Sequence, residues 1–179
     1  MHAAASERAG AAQLARGARD GDPHALGMLY DVFGAGLFRL AYRLTGTRED
    51  AEDVVHDVFV GLPEALGRYE ERGRLGAWLR RVTARVALMR LRDRARRRET
   101  GLEGAAAVVA HADATPDRAA LQAAVDALPA DLRGVLVLKE MEGYSHVEVA
   151  ELLGISVVTS RVRLFRALRR VRRQLEEDR

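Results

Sequence analysis

YSHVEVAELLGISVVTSRVRLFRALRRVRRQL, residues 144–175, reads as a short helix, a tight turn and a long helix loaded with arginine. Ser145 can cap the first helix, and Glu148, three residues on, can return the favour as the second half of a capping box. Val149 and Leu153 lie one turn apart, and Ala150 leaves room for a neighbouring helix to come close. Gly154 stands where a helix must stop and reverse. Ser156 can cap the second helix, whose apolar residues Val157, Leu164, Leu168, Val171 and Leu175 fall mostly on one stripe. This is the pattern of a helix-turn-helix, the unit that lays its second helix in the DNA major groove. The plainer alternative is an amphipathic helical hairpin with a solvated basic face.

Working outward, the charge is uneven. The formal net charge is only +3 over 179 residues, but arginines crowd 90–98 and 161–173, and acids crowd 49–57. Two separated basic patches suggest two contacts with a polyanion, and the acidic patch suggests a different, basic partner. Lys139 is the only lysine, so arginine is the default cation here and any single arginine says little about bidentate recognition. The absence of cysteine excludes disulfides, thiolate metal sites and cysteine nucleophiles. No apolar run approaches the roughly 20 residues of a membrane span, so no membrane insertion is expected. The N-terminus lacks the order of a signal peptide, and a soluble cytoplasmic protein is the default expectation. Alanine supplies much of the apolar content and aromatics are scarce, which fits two compact domains with modest cores.

The whole chain reads as all-α: two small helical domains joined by a flexible linker, the C-terminal one the helix-turn-helix. Residues 1–21 are alanine-rich without a clear stripe, a tail or a frayed helix. Asp22-Pro23 opens a helical pattern carried by Leu26, Leu29, Tyr30, Phe33, Leu37, Leu40, Ala41 and Leu44, with room for a break at Gly34 and Gly36. A helix over about 48–66 follows, capped by Thr47, with Ala51, Val54, Val55, Val58 and Leu62 inward and Pro63 placed to bend or end it. Residues 69–76 read as a loop. A helix over about 77–97 then carries Trp78, Val82, Val86 and Met89 inward. The first domain is thus expected over 22–98 and the second over 118–179. The acidic stretch 99–117 between them is the linker, and its 19 residues reach roughly 65 Å when extended. In the second domain Leu121, Val125 and Leu128 precede a break at Pro129, and Leu132, Val135, Leu136 and Leu138 form the helix before the helix-turn-helix.

On the acidic helix, Glu49, Asp53 and Asp57 recur every fourth residue and share one face, away from the valines, with His56 and Val60 beside them. Like charges so spaced repel by a few tenths of a kcal/mol per pair. An isolated helix gains nothing from that, but a basic partner could be met there; a solvated face is the alternative. His56-Asp57 is also the dipeptide of metal-dependent phosphohydrolases. That chemistry needs further ligands on neighbouring helices, and His2, His24, His111 and His146 show no such spacing. No metal and no cofactor are expected.

These residues together resemble a sigma factor of the sigma-70 family, in its small two-domain extracytoplasmic-function (ECF) group, over about 22–175. LFRLAYRLTGTREDAEDVVHDVF (37–59) is similar to the polymerase-binding helices of the family's second domain, and WLRRV (78–82) to the start of its promoter-melting helix. ALPADLRGVLVLKEMEGYSHVEVAELLGIS (127–156), followed by TSRVRLFRAL (159–168), is similar to the fourth domain. The resemblance implies a protein without catalytic activity that binds core RNA polymerase, directs it to promoters and helps open the DNA. It implies that Glu49, Asp53, His56, Asp57 and Val60 form the polymerase-docking face. It assigns the −10 promoter element to 69–97, with Arg72, Arg74, Arg80, Arg81 and Arg85 as candidate contacts and one base flipped into a pocket. Trp78 could stack on a base, although its spacing with Val82 speaks for core. The −35 element falls to Val158, Thr159, Arg161, Val162, Phe165 and Arg166, with the arginines donating to guanine edges or phosphates and Phe165 and Val162 packing on sugars or thymine methyls. Family relatives are often held by an anti-sigma factor, so such a partner is also expected.

The chain departs from the family pattern in four places. Arg85 stands where an asparagine is usual, and arginine only donates. Val158 replaces a common glycine and Val162 a frequent serine. Ser160 replaces a valine on the packing face, where its hydroxyl needs a partner such as the carbonyl four residues back. The competing function is a stand-alone dimeric helix-turn-helix regulator. It accounts for 118–175 and leaves the acidic helix and 69–98 without a role.

Overall fold

The computed structural model describes residues 2–70, 74–99 and 116–177, and among them every regular element is helical, with no strand. They gather into two compact units. The first comprises Met1–Tyr42 and Glu49–Ala87, the second Arg43–Arg48 and Leu88–Arg179.

In the first unit, the stretch expected to be a tail or a frayed helix is helix α1, His2–Arg19. Its alanines are what the large-residue pattern overlooked: Ala15 and Ala18 are buried, and α1 packs on α4. Gly17 lets it approach the start of α2, since a Cβ there would lie 2.9 Å from that of Ala25. The chain turns at Gly21, whose φ is +82°. Asp22 then caps α2, accepting from the His24 N–H at 2.9 Å. Helix α2, Pro23–Thr45, runs unbroken through Gly34 and Gly36. Gly34 is buried beneath the Tyr30 ring, with the ring 3.4 Å from where a Cβ would stand, so that glycine serves packing rather than a break.

Helix α3, Arg48–Val60, buries Ala51, Val54, Val55 and Val58 as expected. It stops earlier than expected. Pro63 lacks the N–H that would extend the ladder, and it is accommodated in the first turn of a separate short helix, α4, Leu62–Leu66. Helix α5, Leu75–Glu99, is longer than its pattern indicated and is rotated from it. Leu75, Leu79, Thr83 and Ala87 make the buried row, Trp78, Val82 and Val86 are half-buried, and Met89 is exposed. The Thr83 hydroxyl donates to the Leu79 carbonyl at 2.9 Å, which lets a polar residue occupy a core position.

The second unit holds α6 (Pro116–Asp126), α7 (Ala130–Leu136), a π-helical turn (Val137–Met141), α8 (His146–Leu153) and α9 (Val157–Glu177). The expected linker, apart from its ends at Glu99, Pro116 and Asp117, lies outside the described residues. Val125, Leu128, Leu132, Val135, Leu136 and Leu138 are buried, while Leu121 is exposed. Arg133 is buried and donates to the Asp126 carbonyl at 3.2 Å and the Thr45 carbonyl at 3.4 Å, binding the Arg43–Arg48 segment into this unit.

Candidate functional site

The helix-turn-helix forms as its caps dictate. Ser145 Oγ accepts from the Glu148 N–H at 3.3 Å, and the Glu148 carboxylate accepts from the Ser145 N–H at 2.9 Å. Gly154 closes α8 in the left-handed conformation, φ +67°. Ser156 Oγ accepts from the Thr159 N–H at 3.0 Å and starts α9. Each end of the turn has its own stop or start signal.

Helix α9 packs through Ser160, Ala167 and Val171, with Leu164 and Leu175 half-buried. Leu168, expected on this face, is exposed, because small Ala167 occupies the contact instead. Ser160 has 0% exposure and its hydroxyl lies 2.9 Å from His146 Nδ1, so its partner is a side chain of α8 rather than the carbonyl four residues back. At about 100° per residue, Val158, Val162, Phe165, Arg169 and Arg173 run along the ridge opposite this face. Val158 is 67%, Val162 42% and Phe165 62% exposed. The Arg169 guanidinium carbon sits 5.8 Å from the centre of the Phe165 ring. Arg161 and Arg166, both exposed, flank the ridge. Thr159 is half-buried, its hydroxyl 2.8 Å from Ser156 Oγ, which commits it to the helix start. Towards the end of α9, Arg166, Arg169, Arg170, Arg172 and Arg173 line a groove of about 710 Å³ against Pro129 and Leu132. Arg163 leaves this set by pairing with Asp131 at 3.5 Å.

On α5, Arg81 and Arg85 share a face with Trp78, and Arg74 lies just ahead of it on the same line; Arg80 projects about 140° around the helix from Arg85. Arg72 lies outside the described residues. The half-buried Trp78 ring stands 4.8 Å from the Tyr69 ring, so it is an edge of the core with one side open.

On α3, Glu49, Asp53, His56, Asp57 and Val60 are all exposed and lie within one face about 100° wide. Beside them is a pair the sequence pattern did not pick out. Tyr30, expected in the core, is exposed and meets Phe59 edge-to-face at 5.1 Å. The signal was faint: Phe59 is the one aromatic residue in a valine-rich helix, adjacent to Val60. Among the described residues no group of three or more His, Asp or Glu side chains is arranged to hold a metal ion. No helix among them is long and apolar enough to cross a membrane.

Comparison with known proteins finds a match in each unit. The family model for Sigma-70 region 2 matches residues 29–97 and that for Sigma-70, region 4, matches 118–171. The chain is 32% identical over 155 residues to the ECF RNA polymerase sigma factor SigM of Mycobacterium tuberculosis, covering 87% of this chain and 79% of SigM. The chain belongs to the sigma-70 family, in its ECF group. This sigma-70 chain is also 34% identical over 144 residues to the ECF sigma factor SigE of Mycolicibacterium smegmatis, covering 76% of the chain but only 56% of SigE. Among solved structures it resembles the sigma factor RpoE in complex with the anti-sigma factor NepR from Bartonella quintana, with a TM-score of 0.64 and 25% identity, covering 86% of this chain and 97% of RpoE. Region 2 contains the acidic face of α3 and the arginines of α5; region 4 contains the helix-turn-helix.

Proposed function

We propose that this protein binds core RNA polymerase and directs it to promoters as a non-catalytic subunit in the cytoplasm, reading a −35 element with α9 and a −10 element with α5. The observation that carries the reading is the pairing, in one chain and in the sigma-70 order, of an exposed acidic face on α3 with an exposed ridge on α9 whose flanks and far end are basic. The acidic face suits a basic polymerase element; DNA would be repelled from it. In the −35 contact, Arg161 and Arg166 supply donors beside the ridge, and the arginines towards the end of α9 add phosphate contacts. In the −10 contact, Arg74, Arg81 and Arg85 line one side of α5 and suit the opened strand, with Arg80 on a separate face. The expected domains, 22–98 and 118–179, divide the two tasks. The RpoE complex with NepR supports an anti-sigma factor as a further partner.

The test is transcription by purified core polymerase with this protein on a randomised promoter library, with the start sites sequenced. Start sites preceded by two shared elements are the expected result. A protein that binds duplex DNA tightly as a dimer, yet never binds core, would establish the stand-alone regulator instead.

A further inference from the structure

We propose that the apolar start of the α9 ridge reads thymine 5-methyl groups in the −35 element, with Val158 and Val162 as the specificity-determining contacts; the inference rests on the promoter-reading function above. The ridge changes character along its length. Val158, Val162 and Phe165 occupy the N-terminal half, and Arg169 and Arg173 continue the same line in the C-terminal half. In a helix-turn-helix the N-terminal residues of the second helix meet the base edges. The apolar half of this ridge therefore faces bases and the basic half faces backbone.

Valine neither donates nor accepts a hydrogen bond. On a base edge in the major groove, the thymine methyl offers an alkyl side chain the largest apolar contact; cytosine has only a C–H at the same position, and the groups that distinguish the other bases are donors and acceptors. Two exposed valines at the reading end thus select for methyls and leave a polar edge without a partner. Phe165 is less free to do this, since its ring is engaged by Arg169 at 5.8 Å. Hydrogen-bonding specificity falls to Arg161 and Arg166, which sit about 70° to either side of the ridge. Val158 and Val162 are separated by one turn, a rise of about 6 Å. At about 3.4 Å per base pair, they fall over methyls about two steps apart.

The experiment uses core polymerase loaded with this protein on a promoter taken from the library. Each thymine of the −35 element, on either strand, is replaced singly by deoxyuridine, which removes the methyl and keeps every hydrogen-bonding group. Promoter affinity is measured by competition. The expected result is a loss of about fourfold at one or two positions, the worth of one buried methyl-sized group. The Val158→Ala and Val162→Ala proteins are expected to bind thymine and uracil templates equally at those positions. Both side chains are exposed, so unchanged thermal unfolding accompanies these variants. An Arg166→Ala protein is expected to lose affinity for both templates while keeping the thymine preference. Uracil without effect at any position, on a promoter that is otherwise active, overturns the proposal and leaves the ridge to a protein partner. A selected −35 element without thymine on either strand also overturns it. Failure to initiate on any library member overturns the promoter-reading function itself, and this inference with it.

Discussion

Ser160 is a hydroxyl with no exposure, 2.9 Å from the ring nitrogen of His146, in the contact between α8 and α9. Buried hydroxyls are costly unless paired, and this pair joins the two helices of the turn at a defined distance. Ser160→Ala is expected to destabilise the protein by about 1 kcal/mol, the ordinary net worth of one hydrogen bond. His146 is half-buried, so water can reach the abandoned nitrogen and hold the loss to that range. Urea unfolding followed by circular dichroism measures it, and a variant as stable as the parent would remove Ser160 from the architecture of the turn. The sequence placed Ser160 on the packing face from helical spacing alone. Its partner was not legible, because His146 lies fourteen residues earlier and meets it only through the crossing of two helices. Thr159 shows the same limit: its helical position was legible, but the contact of its hydroxyl with Ser156 Oγ at 2.8 Å was not.

At the scale of elements, legibility followed the strength of the stop and start signals. Helix α8 has a capping box and a left-handed glycine, and the sequence reading bounded it correctly. Helix α5 has neither an acidic first turn nor a strong apolar stripe, and its buried residues include Thr83, Ala84 and Ala87. A pattern built on large apolar residues therefore rotated the helix and put Met89 inside. Pro63 predicts a bend or an end in a single helix, and the chain forms two helices there, because a proline is tolerated in a first turn and not in an interior. The signal at Gly154 carries its own prediction. A Cβ there would touch nothing within 4 Å, but φ is +67°. Gly154→Ala is thus a backbone change without a steric clash, expected to cost about 1 kcal/mol. A thermal melt of the variant reads it. Because α9 is aimed by this turn, promoter binding is expected to weaken as well, while affinity for core polymerase stays unchanged.

At the scale of the whole molecule, the two grips carry opposite charge and should fail separately. The α3 face presents Glu49, Asp53 and Asp57 with His56 and Val60, beside the exposed Tyr30 and its half-buried partner Phe59. Acids steer a basic partner, and an apolar centre beside them supplies the area that a stable contact needs. Reversing two of the acids, Asp53→Arg with Asp57→Arg, turns attraction into repulsion at the same positions. Both side chains are exposed, and surface pairs contribute about 0–1 kcal/mol, so the fold is expected to hold. Affinity for core polymerase is expected to fall at least tenfold, a change of about 1.4 kcal/mol, and transcription is lost from every promoter alike, since the loss precedes any reading of sequence. Tyr30→Ala should weaken core binding in the same uniform way. Arg166→Ala is expected to do the reverse, leaving core affinity intact and changing which −35 elements are preferred, by about 1–3 kcal/mol at the affected position. Measuring core affinity by fluorescence titration and promoter ranking by the sequenced library, for both variants, gives a crossed result if the grips are distinct. An α3 reversal that re-ranks promoters while keeping full core affinity would move the acidic face from polymerase docking to some other role.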